Sequence, residues 1–364
     1  MRPPNIPEAP KDRLEIEFDG DELELAERYH AWGWTDGLPI VVPTPERVDA
    51  LCGGSRRQPA ESLGTLAPRG GIATIQKIAV NAVMAGCLAE HMPVLEAAVL
   101  ALQEPSFNLF GVQTTTHPCG VLAIVHGPIA RALGMNWGHG CLGQGNRANA
   151  TIGRALRLVL QNIGGAIPGE TDRATQGTPA KYTFCFAENE EANPWPPLRT
   201  SMGFGLRESC VTVSSAEGPH NVNDHRSSSA EGILTSVAET MATGANNNLY
   251  QGGDLFVVFG PEHAETVARS GFSREDVQRW LFERARVSVG RFSAEKLDEI
   301  ASWGGYGDRI EGWGGRIPLV RQPEHIRVLV AGGSGKHSCW IPTFGIGMSQ
   351  TRKIDWDAKI LPMA

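Results

Sequence analysis

Several patterns that would assign this chain to a common class are missing from its sequence. It contains no uncharged apolar run of about 18 residues, so we expect no membrane-spanning helix. It has no dense cluster of lysine and arginine, and its formal net charge is −7, so we expect no nucleic-acid partner. Residues 1–24 are proline-rich and then acidic, without the basic and apolar regions of a signal peptide.

The cysteines also lack the spacing of known frameworks. The seven cysteines lie between Cys52 and Cys339, and no two of them form a Cys-x-x-Cys pair. An odd number without paired spacing argues against a disulfide framework and against a structural zinc site. A His-Glu-x-x-His zinc-protease motif is missing as well. We therefore expect reduced thiols, a cytoplasmic protein and no required cofactor.

What the sequence does contain is typical of a folded α/β protein. Of its 364 residues, 41% are hydrophobic and 20% are charged, which allows a large buried core. Apolar runs at residues 121–125 and 254–259 each end at Gly-Pro and precede a helical pattern, and a third run at 327–331 ends at Gly-Gly. This alternation predicts a layered mixed sheet with helices on both faces. The recurrence also indicates internally repeated strand–Gly-Pro–helix units.

Changes in composition divide the chain into three predicted parts. Residues 1–20 are expected to form a flexible arm. Residues 21–193 are expected to form an α/β half that contains a glycine-rich loop, and residues 198–364 a second α/β half packed against it. The proline-rich segment between them is the predicted boundary. Near the start of the first half, residues 37–43 are expected to form a short buried strand.

The most informative segment is a glycine-rich loop at residues 138–146. Four glycines within eight residues do not suit a packed strand or helix. A helical pattern follows at residues 150–162, so the loop offers backbone N–H groups at the positive end of a helix dipole. We expect the loop to bind an anionic group of the substrate; the alternative is a tight turn needed only for packing. The predicted substrate ligands are Gly143, Gly145, Arg147 and Asn149.

A thiol and an imidazole lie at the start of this loop. Cys141 is next to the predicted N–H groups and a cation, which favour the thiolate, the reactive form of cysteine. We therefore predict Cys141 as the nucleophile or thiol acid/base and His139 as a proton carrier. Cys87, at the end of a helical pattern, is instead expected to be a small buried hydrophobe.

A second glycine-rich loop follows the apolar run at residues 327–331. It is similar to a phosphate loop, but it lacks the first glycine of that motif and the hydroxyl residue after the lysine, so we expect no nucleotide. The loop still offers Lys336 to a developing negative charge, His337 as a second proton carrier and Ser334 as a substrate ligand.

An acidic run follows a predicted strand that ends at Phe186. Alternation along the strand places Glu188 on the same face as Phe184 and Phe186. Because a strand end fixes a carboxylate and a loop exposes it, Glu188 is a predicted catalytic base. A surface turn is the other interpretation of the acidic run.

Metal-dependent chemistry is a second hypothesis. Glu188 would then act with histidines that lie in loops rich in Gly, Pro and Asn, where side chains distant in sequence can converge. These histidines are His117, His139, His220, His225 and His337.

Four segments of the chain, at residues 81–87, 143–158, 179–195 and 330–338, carry a family resemblance. The chain resembles a largely uncharacterised family of bacterial proteins associated with thiol or selenol proteins that contain a selenocysteine- or cysteine-Gly-Ser-Cys motif. The resemblance covers most of the chain and implies thiol chemistry. The motif itself is absent here, and the nearest string is Lys-His-Ser-Cys at residues 336–339.

Together these patterns predict a hydrolase or lyase that acts at a carbon–heteroatom bond of a small anionic or polar substrate. A third hypothesis, from a different class, is a non-catalytic partner subunit of a thiol-redox protein. Nine tryptophans are compatible with an oligomer interface, so we expect a homo-oligomer.

Overall fold

The strands of the protein are short, and most of them belong to two four-stranded sheets. The computed structural model describes residues 15–304 and 314–356, so most of the predicted arm, residues 1–14, lies outside the described part. In chain order the strands are β1 (Ser62–Leu66), β2 (Gly71–Thr74), β3 (Gly120–His126), β4 (Cys185–Ala187), β5 (Cys210–Ala216), β6 (His220–Asn223), β7 (Leu255–Phe259), β8 (Arg286–Ser288), β9 (Arg316–Pro318), β10 (Ile326–Val330), β11 (His337–Ile341) and β12 (Gln350–Lys353).

The helices begin and end where local sequence signals place them. Asn146 caps the longest one, α7, because its side chain accepts the N–H of Asn149. Gly86 ends α3 in the left-handed region at φ 88°, which favours glycine. The helices are α1 (Glu22–Ala31), α2 (Pro45–Cys52), α3 (Ile75–Ala85), α4 (Met92–Leu102), α5 (Leu109–Thr114), α6 (Pro128–Ala132), α7 (Arg147–Asn162), α8 (Leu198–Ser201), α9 (Ala230–Met241), α10 (Asn248–Gln251), α11 (Pro261–Arg269), α12 (Arg274–Arg284) and α13 (Ala294–Gly304).

Both large sheets are mixed. The first has the order β12-β5-β3-β4, in which β3 is parallel to β4 and antiparallel to β5. The second has the order β10-β7-β11-β6, in which β7 is parallel to β10 and antiparallel to β11. Strand β12 closes one edge of the first sheet by pairing with β5. The expectation of a mixed sheet is therefore confirmed.

The two sheets share an apolar layer, which we call the inter-sheet layer. Leu122 and Ile124 of β3 lie in it together with Phe256 and Val258 of β7. The residues that alternate with them point the other way; Ala123, for example, belongs to the core on the outer side of the first sheet. This alternation explains why the strands read as continuous apolar runs, since both faces of each strand are buried.

Helices cover the outer faces of this pair of sheets. Helices α3, α4 and α7 pack together, and α4 and α7 contact strands of the first sheet. Helices α9 and α12 contact strands of the second sheet, and α11 packs against α9. The layered α/β architecture, with helices on both sides of the sheet layers, is confirmed.

The predicted strand at residues 37–43 is wrong. The segment forms no strand, and Leu38 and Val41 are exposed rather than buried. Pro39 and Pro43 have no N–H to donate to a sheet neighbour, which limits pairing along the segment. The N–H of Val41 bonds to the carbonyl of Met84, at the end of α3.

The predicted boundary at residues 194–197 separates strands that pair with one another. Strands β5 and β12 follow the boundary, yet both belong to the first sheet with β3 and β4. The two predicted halves therefore share a sheet, and their division and the internal repeat stay predictions. Among the residues that the structure describes, no helix is long and apolar enough to cross a membrane.

One buried histidine makes the stability of this fold depend on pH. His91 is 2% exposed, and its Nδ1 accepts the N–H of Leu88 at 3.2 Å. Burial lowers the pKa of His91 to about 4, against about 6.5 in an unfolded chain. Between these values the unfolded chain binds more protons, so the stability due to neutral His91 is present above pH 6.5 and lost as the pH falls toward 4.

We expect this loss to be about 3 kcal/mol, from roughly 1.4 kcal/mol per unit of pKa shift. The measurement is the free energy of unfolding in urea from pH 7 to pH 4 for the unmodified protein and His91→Gln. The difference between the two should shrink by about 3 kcal/mol over this range. The exposed His220→Gln is the control and should follow the unmodified protein. A constant difference for His91→Gln would contradict the prediction.

Candidate functional site

The side chain of Asn149, one of the predicted substrate ligands, is used in hydrogen bonds to the backbone around the glycine-rich loop. Asn149 is 3% exposed, and its Nδ2 donates to the carbonyls of Asn136 and Cys141 at 2.8 and 3.1 Å. Its Oδ1 accepts the N–H of Asn136 at 3.0 Å. With its side chain fully engaged, Asn149 holds the loop in place.

Arg147, the first residue of α7, points toward the C-terminal end of α3. Nε and Nη2 of Arg147 both donate to the carbonyl of Gly86, each at 3.0 Å. This carbonyl ends α3, so the contact is a favourable cation–dipole interaction at a helix C-terminus. Gly143 donates its N–H to the carbonyl of Gly140, and Gly145 has φ 110°, as a tight turn requires. The roles of Arg147, Gly143 and Gly145 in binding substrate stay predictions.

Cys141 belongs to the glycine-rich loop, and its side chain lies in the inter-sheet layer. It is 6% exposed, and burial raises the pKa of its thiol to about 11, although its own N–H and that of Leu142 act in the opposite direction. At neutral pH the thiol is therefore protonated, the less reactive form. Burial raises the pKa of Cys339 on β11 to about 12, and Cys141 contributes to that shift. The structure thus brings two thiols near each other, a pairing that sequence spacing did not reveal.

The two glycine-rich loops meet at the surface. Nε2 of His139 lies 3.3 Å from Oγ of Ser334, and the same ring lies directly against Gly333, where a side chain would collide with it. Farther along the second loop, Nζ of Lys336 donates to the carbonyl of His225 at 3.2 Å. His139, Ser334 and Lys336 are therefore on adjoining loops, and their common role in a site stays a prediction.

Glu188 is buried, with its carboxylate bonded to groups outside these two loops. Its Oε2 lies 2.7 Å from Nδ1 of His126, and its Oε1 accepts Nδ2 of Asn193 at 3.0 Å and the N–H of Leu198 at 2.9 Å. Both side chains of the His126–Glu188 pair are fully buried. These contacts describe a structural carboxylate, while its predicted catalytic role remains untested.

Glu188 also belongs to a group of three residues with metal-ligand chemistry. His126, Glu188 and Glu190 bring ligand atoms within 4.8 Å of one another, the one such group of three among the described residues. However, both carboxylate oxygens of Glu190 accept from Arg199, at 2.8 and 2.7 Å. The Arg199 guanidinium therefore already neutralises Glu190, and a metal cation here would have to displace it.

A cavity of about 530 Å³ opens at the other end of α7, and we call it the Arg157 pocket. Its walls come from three segments: Thr35 and Asp36, the α7 residues Arg157 and Gln161, and parts of the chain at 168–182. None of the residues predicted as site residues lines it. Cavities of this size that contain a few convergent polar groups are the usual place for a small ligand.

The charged groups of the Arg157 pocket are tightly paired. Asp172 accepts both Nζ of Lys181, at 2.7 and 2.8 Å, and Nη2 of Arg157 at 3.2 Å. Asp36 accepts a two-point contact from Arg154 at 2.7 and 2.8 Å. Arg154, which lies outside the pocket lining, neutralises Asp36, so the two lining cations Arg157 and Lys181 share the single carboxylate of Asp172 and leave one positive charge in the pocket wall. That balance favours a ligand with a single negative charge.

A second, smaller void continues the pocket inward. It has a volume of about 20 Å³, enough for one water molecule, and Arg157 and Lys181 line both spaces. Cys119 lies at the inner void; burial raises the pKa of its thiol to about 12, with Lys181 opposing. Burial also lowers the pKa of the Arg157 guanidinium, against Asp172, which raises it. Arg157 and Lys181 therefore lie where the open pocket and the smaller void adjoin.

One sequence signal points toward this pocket. Gly153, Arg157 and Gln161 follow one another at intervals of four, so they share one face of α7. Gly153 allows Thr183 to pack closely against this face, because a Cβ on residue 153 would lie 2.4 Å from Oγ1 of Thr183 and collide with it. An arginine on the same helix face as a glycine, with apolar residues on either side in the sequence, is a pattern that could have drawn attention to the site.

Comparisons with known proteins do not supply a family: no family model matches the chain, and no curated protein matches its sequence. The functional argument therefore depends on the geometry of the chain itself.

Proposed function

We propose that the protein is an enzyme that acts on a small, singly charged anionic molecule and binds it in the Arg157 pocket. The observation that carries this proposal is that Arg157 and Lys181 line both the open cavity and the void behind it. A ligand that enters would meet two cations held in fixed positions by Asp172. Preorganised cations bind an anion without the cost of ordering flexible side chains.

The two cations suit different parts of a substrate. The planar guanidinium of Arg157 is matched to a carboxylate, while the ammonium of Lys181 acts as a point charge that can stabilise a developing anion. Hydrolysis or elimination at a carbon–heteroatom bond develops negative charge on the departing heteroatom, so the residues fit this class of reaction. Tyr182, which is 49% exposed at the rim, offers an aromatic face to the rest of the molecule.

A thiol mechanism at Cys141 has less support. A protonated, 6% exposed thiol needs both a base and a path to solvent before it can attack a substrate. His139, the proton carrier that the sequence predicts for Cys141, contacts Ser334 at the surface. We therefore assign the reaction to the pocket and keep the substrate class that the sequence predicts.

The first test is a thermal-unfolding screen of the full chain. Small monocarboxylates should raise the unfolding midpoint, because a ligand that binds only the folded state stabilises it by about 2.7 kcal/mol at 100 times its Kd. The corresponding neutral amides should leave the midpoint unchanged. Lys336→Met, which removes a cation outside the pocket, should respond like the unmodified protein. Equal shifts with acids and amides would refute the proposed anion site.

A further inference from the structure

We propose that His225 and His337 form a binding site for a divalent transition-metal ion such as zinc. The Nε2 atoms of the two rings lie 3.4 Å apart. Two nitrogens bound to one tetrahedral zinc, each about 2.0–2.1 Å from it, are about 3.3–3.4 Å apart. An ordinary hydrogen bond from a ring N–H is shorter, about 2.9–3.0 Å. The separation therefore matches two ligands of one ion better than a direct hydrogen bond.

Neighbouring strands position both rings. His337 is the first residue of β11 and pairs with Asn223 of the antiparallel strand β6. His225 follows two residues beyond Asn223, so it reaches the same end of the strand pair. The ring planes are nearly perpendicular, at 83°. Because the first residue of β11 is one histidine and the turn after β6 carries the other, the two nitrogens meet without a large rearrangement.

The other nitrogen of His337 has the partner that a metal-bound histidine needs. Its Nδ1 lies 2.9 Å from Oδ1 of Asn221. When Nδ1–H donates to this carbonyl oxygen, Nε2 keeps its lone pair, and that lone pair is on the side of His225. Histidines that bind metals usually donate their second ring N–H to a carbonyl or carboxylate, which fixes the tautomer and the ring orientation. Asn221 is therefore a positioning residue for the site.

The surroundings of the two rings allow a cation. Two positive charges neighbour the histidines in sequence: Arg226 follows His225, and Lys336, which precedes His337, donates its ammonium to the carbonyl of His225. The Asp224 carboxylate, next to His225 in sequence, already accepts the N–H groups of Arg226 and Ser227 and the hydroxyls of Ser227 and Ser236. Glu262 of α11 accepts the N–H of Gly335 at 2.8 Å. The two histidines are therefore the protein ligands of the proposed site. Both histidines are exposed, so water can complete the coordination sphere. Imidazole suits zinc, copper and nickel, and zinc is the ion chosen for the test.

The site is separate from the Arg157 pocket and does not depend on it. Neither histidine lines the pocket, and neither contacts Arg157 or Lys181 in the described structure. A failed screen for carboxylate ligands would leave the metal proposal standing, and the reverse is also true.

The test is calorimetric titration of the metal-free full chain with zinc chloride. The unmodified protein should bind one zinc ion, and His337→Gln and His225→Gln should each weaken binding at least about 100-fold. Asn221→Ala should weaken it about 10- to 100-fold, because the ring loses its orienting partner. His220→Gln, a histidine of β6 that stacks on Trp340, is the matched control and should bind zinc like the unmodified protein.

A second readout guards against misfolded variants. Zinc should raise the unfolding midpoint of the unmodified protein and of His220→Gln, but not that of His225→Gln or His337→Gln. Without zinc, the midpoints of all four proteins should agree, since both histidines are exposed. Zinc binding that is the same in His337→Gln and in the unmodified protein would overturn the proposal, and so would the absence of binding to the unmodified protein.

Discussion

Replacing Arg157 with methionine should weaken binding of a monocarboxylate at least about 100-fold. Methionine keeps much of the apolar stem of the side chain but removes the guanidinium that lines both cavities. A charge-assisted hydrogen bond is worth about 1.5–3 kcal/mol, and two of them correspond to this factor at 1.4 kcal/mol per tenfold change. The change also removes the remaining positive charge of the pocket wall, because Asp172 then has Lys181 as its one cationic partner.

Arg147→Met is the control that separates two interpretations of the sequence. Both arginines lie on α7, but Arg147 is exposed and bonds to the carbonyl of Gly86. If the glycine-rich loop were the anion site, Arg147→Met would lose binding and Arg157→Met would keep it. We expect the opposite result from titration calorimetry with a carboxylate identified in the thermal screen. Arg157→Lys, which keeps the charge but loses the planar fork, should fall between the two.

Folding of the Arg157 variant has to be measured alongside binding. Arg157 also donates to the carbonyl of Ala166, so its loss leaves that buried acceptor without this donor, while Asp172 keeps Lys181 as its partner. Arg157→Lys keeps a cation at this position and should be more stable in urea than Arg157→Met, so comparing the two separates a loss of folding from a loss of binding. If Arg157→Met keeps full affinity, the pocket does not use Arg157 for binding.

Much of the fold could be predicted because its strongest patterns are local. The apolar run at residues 121–125 is one residue shorter than β3 at each end. The run at residues 254–259 starts one residue before β7 and ends with it. These strands are buried on both faces, which favours apolar residues along most of their length. The run at residues 37–43 has a similar composition but stays unpaired, because two prolines remove N–H donors that a ladder needs. Hydropathy alone could not distinguish these cases.

The site was harder to predict because partners distant in sequence decide what each polar group does. The guanidinium of Arg147 could have faced the glycines, but the carbonyl of Gly86, 61 residues earlier, takes it. Lys181 lies in a short 3-10 turn that places its ammonium on Asp172, nine residues earlier in the sequence. Charge and spacing indicate which residues can bind an anion, whereas tertiary contacts determine which of them are still available.

The largest effect on stability is expected from Glu188→Leu, which should lower the free energy of unfolding by about 3–5 kcal/mol. The carboxylate accepts hydrogen bonds from His126, Asn193 and the N–H of Leu198, and its side chain is fully buried. Leucine has a similar volume but accepts none of these bonds, so it leaves buried donors without partners. Glu188→Gln keeps an acceptor oxygen and should cost less, about 1.5–3 kcal/mol.

The same variants decide whether Glu188 is a catalytic base, as its position after a strand predicts, or a structural carboxylate. A structural role predicts that Glu188→Gln loses stability in urea and keeps the carboxylate affinity of the Arg157 pocket. A catalytic role predicts unchanged stability together with the loss of turnover. The neighbouring Glu191, whose side chain is exposed and pairs with Arg131, gives the control. Glu191→Gln should change stability by no more than about 0.5 kcal/mol, because exposed ion pairs contribute little. The structural role is wrong if Glu188→Gln is as stable as Glu191→Gln, since three buried hydrogen bonds cannot be altered without cost.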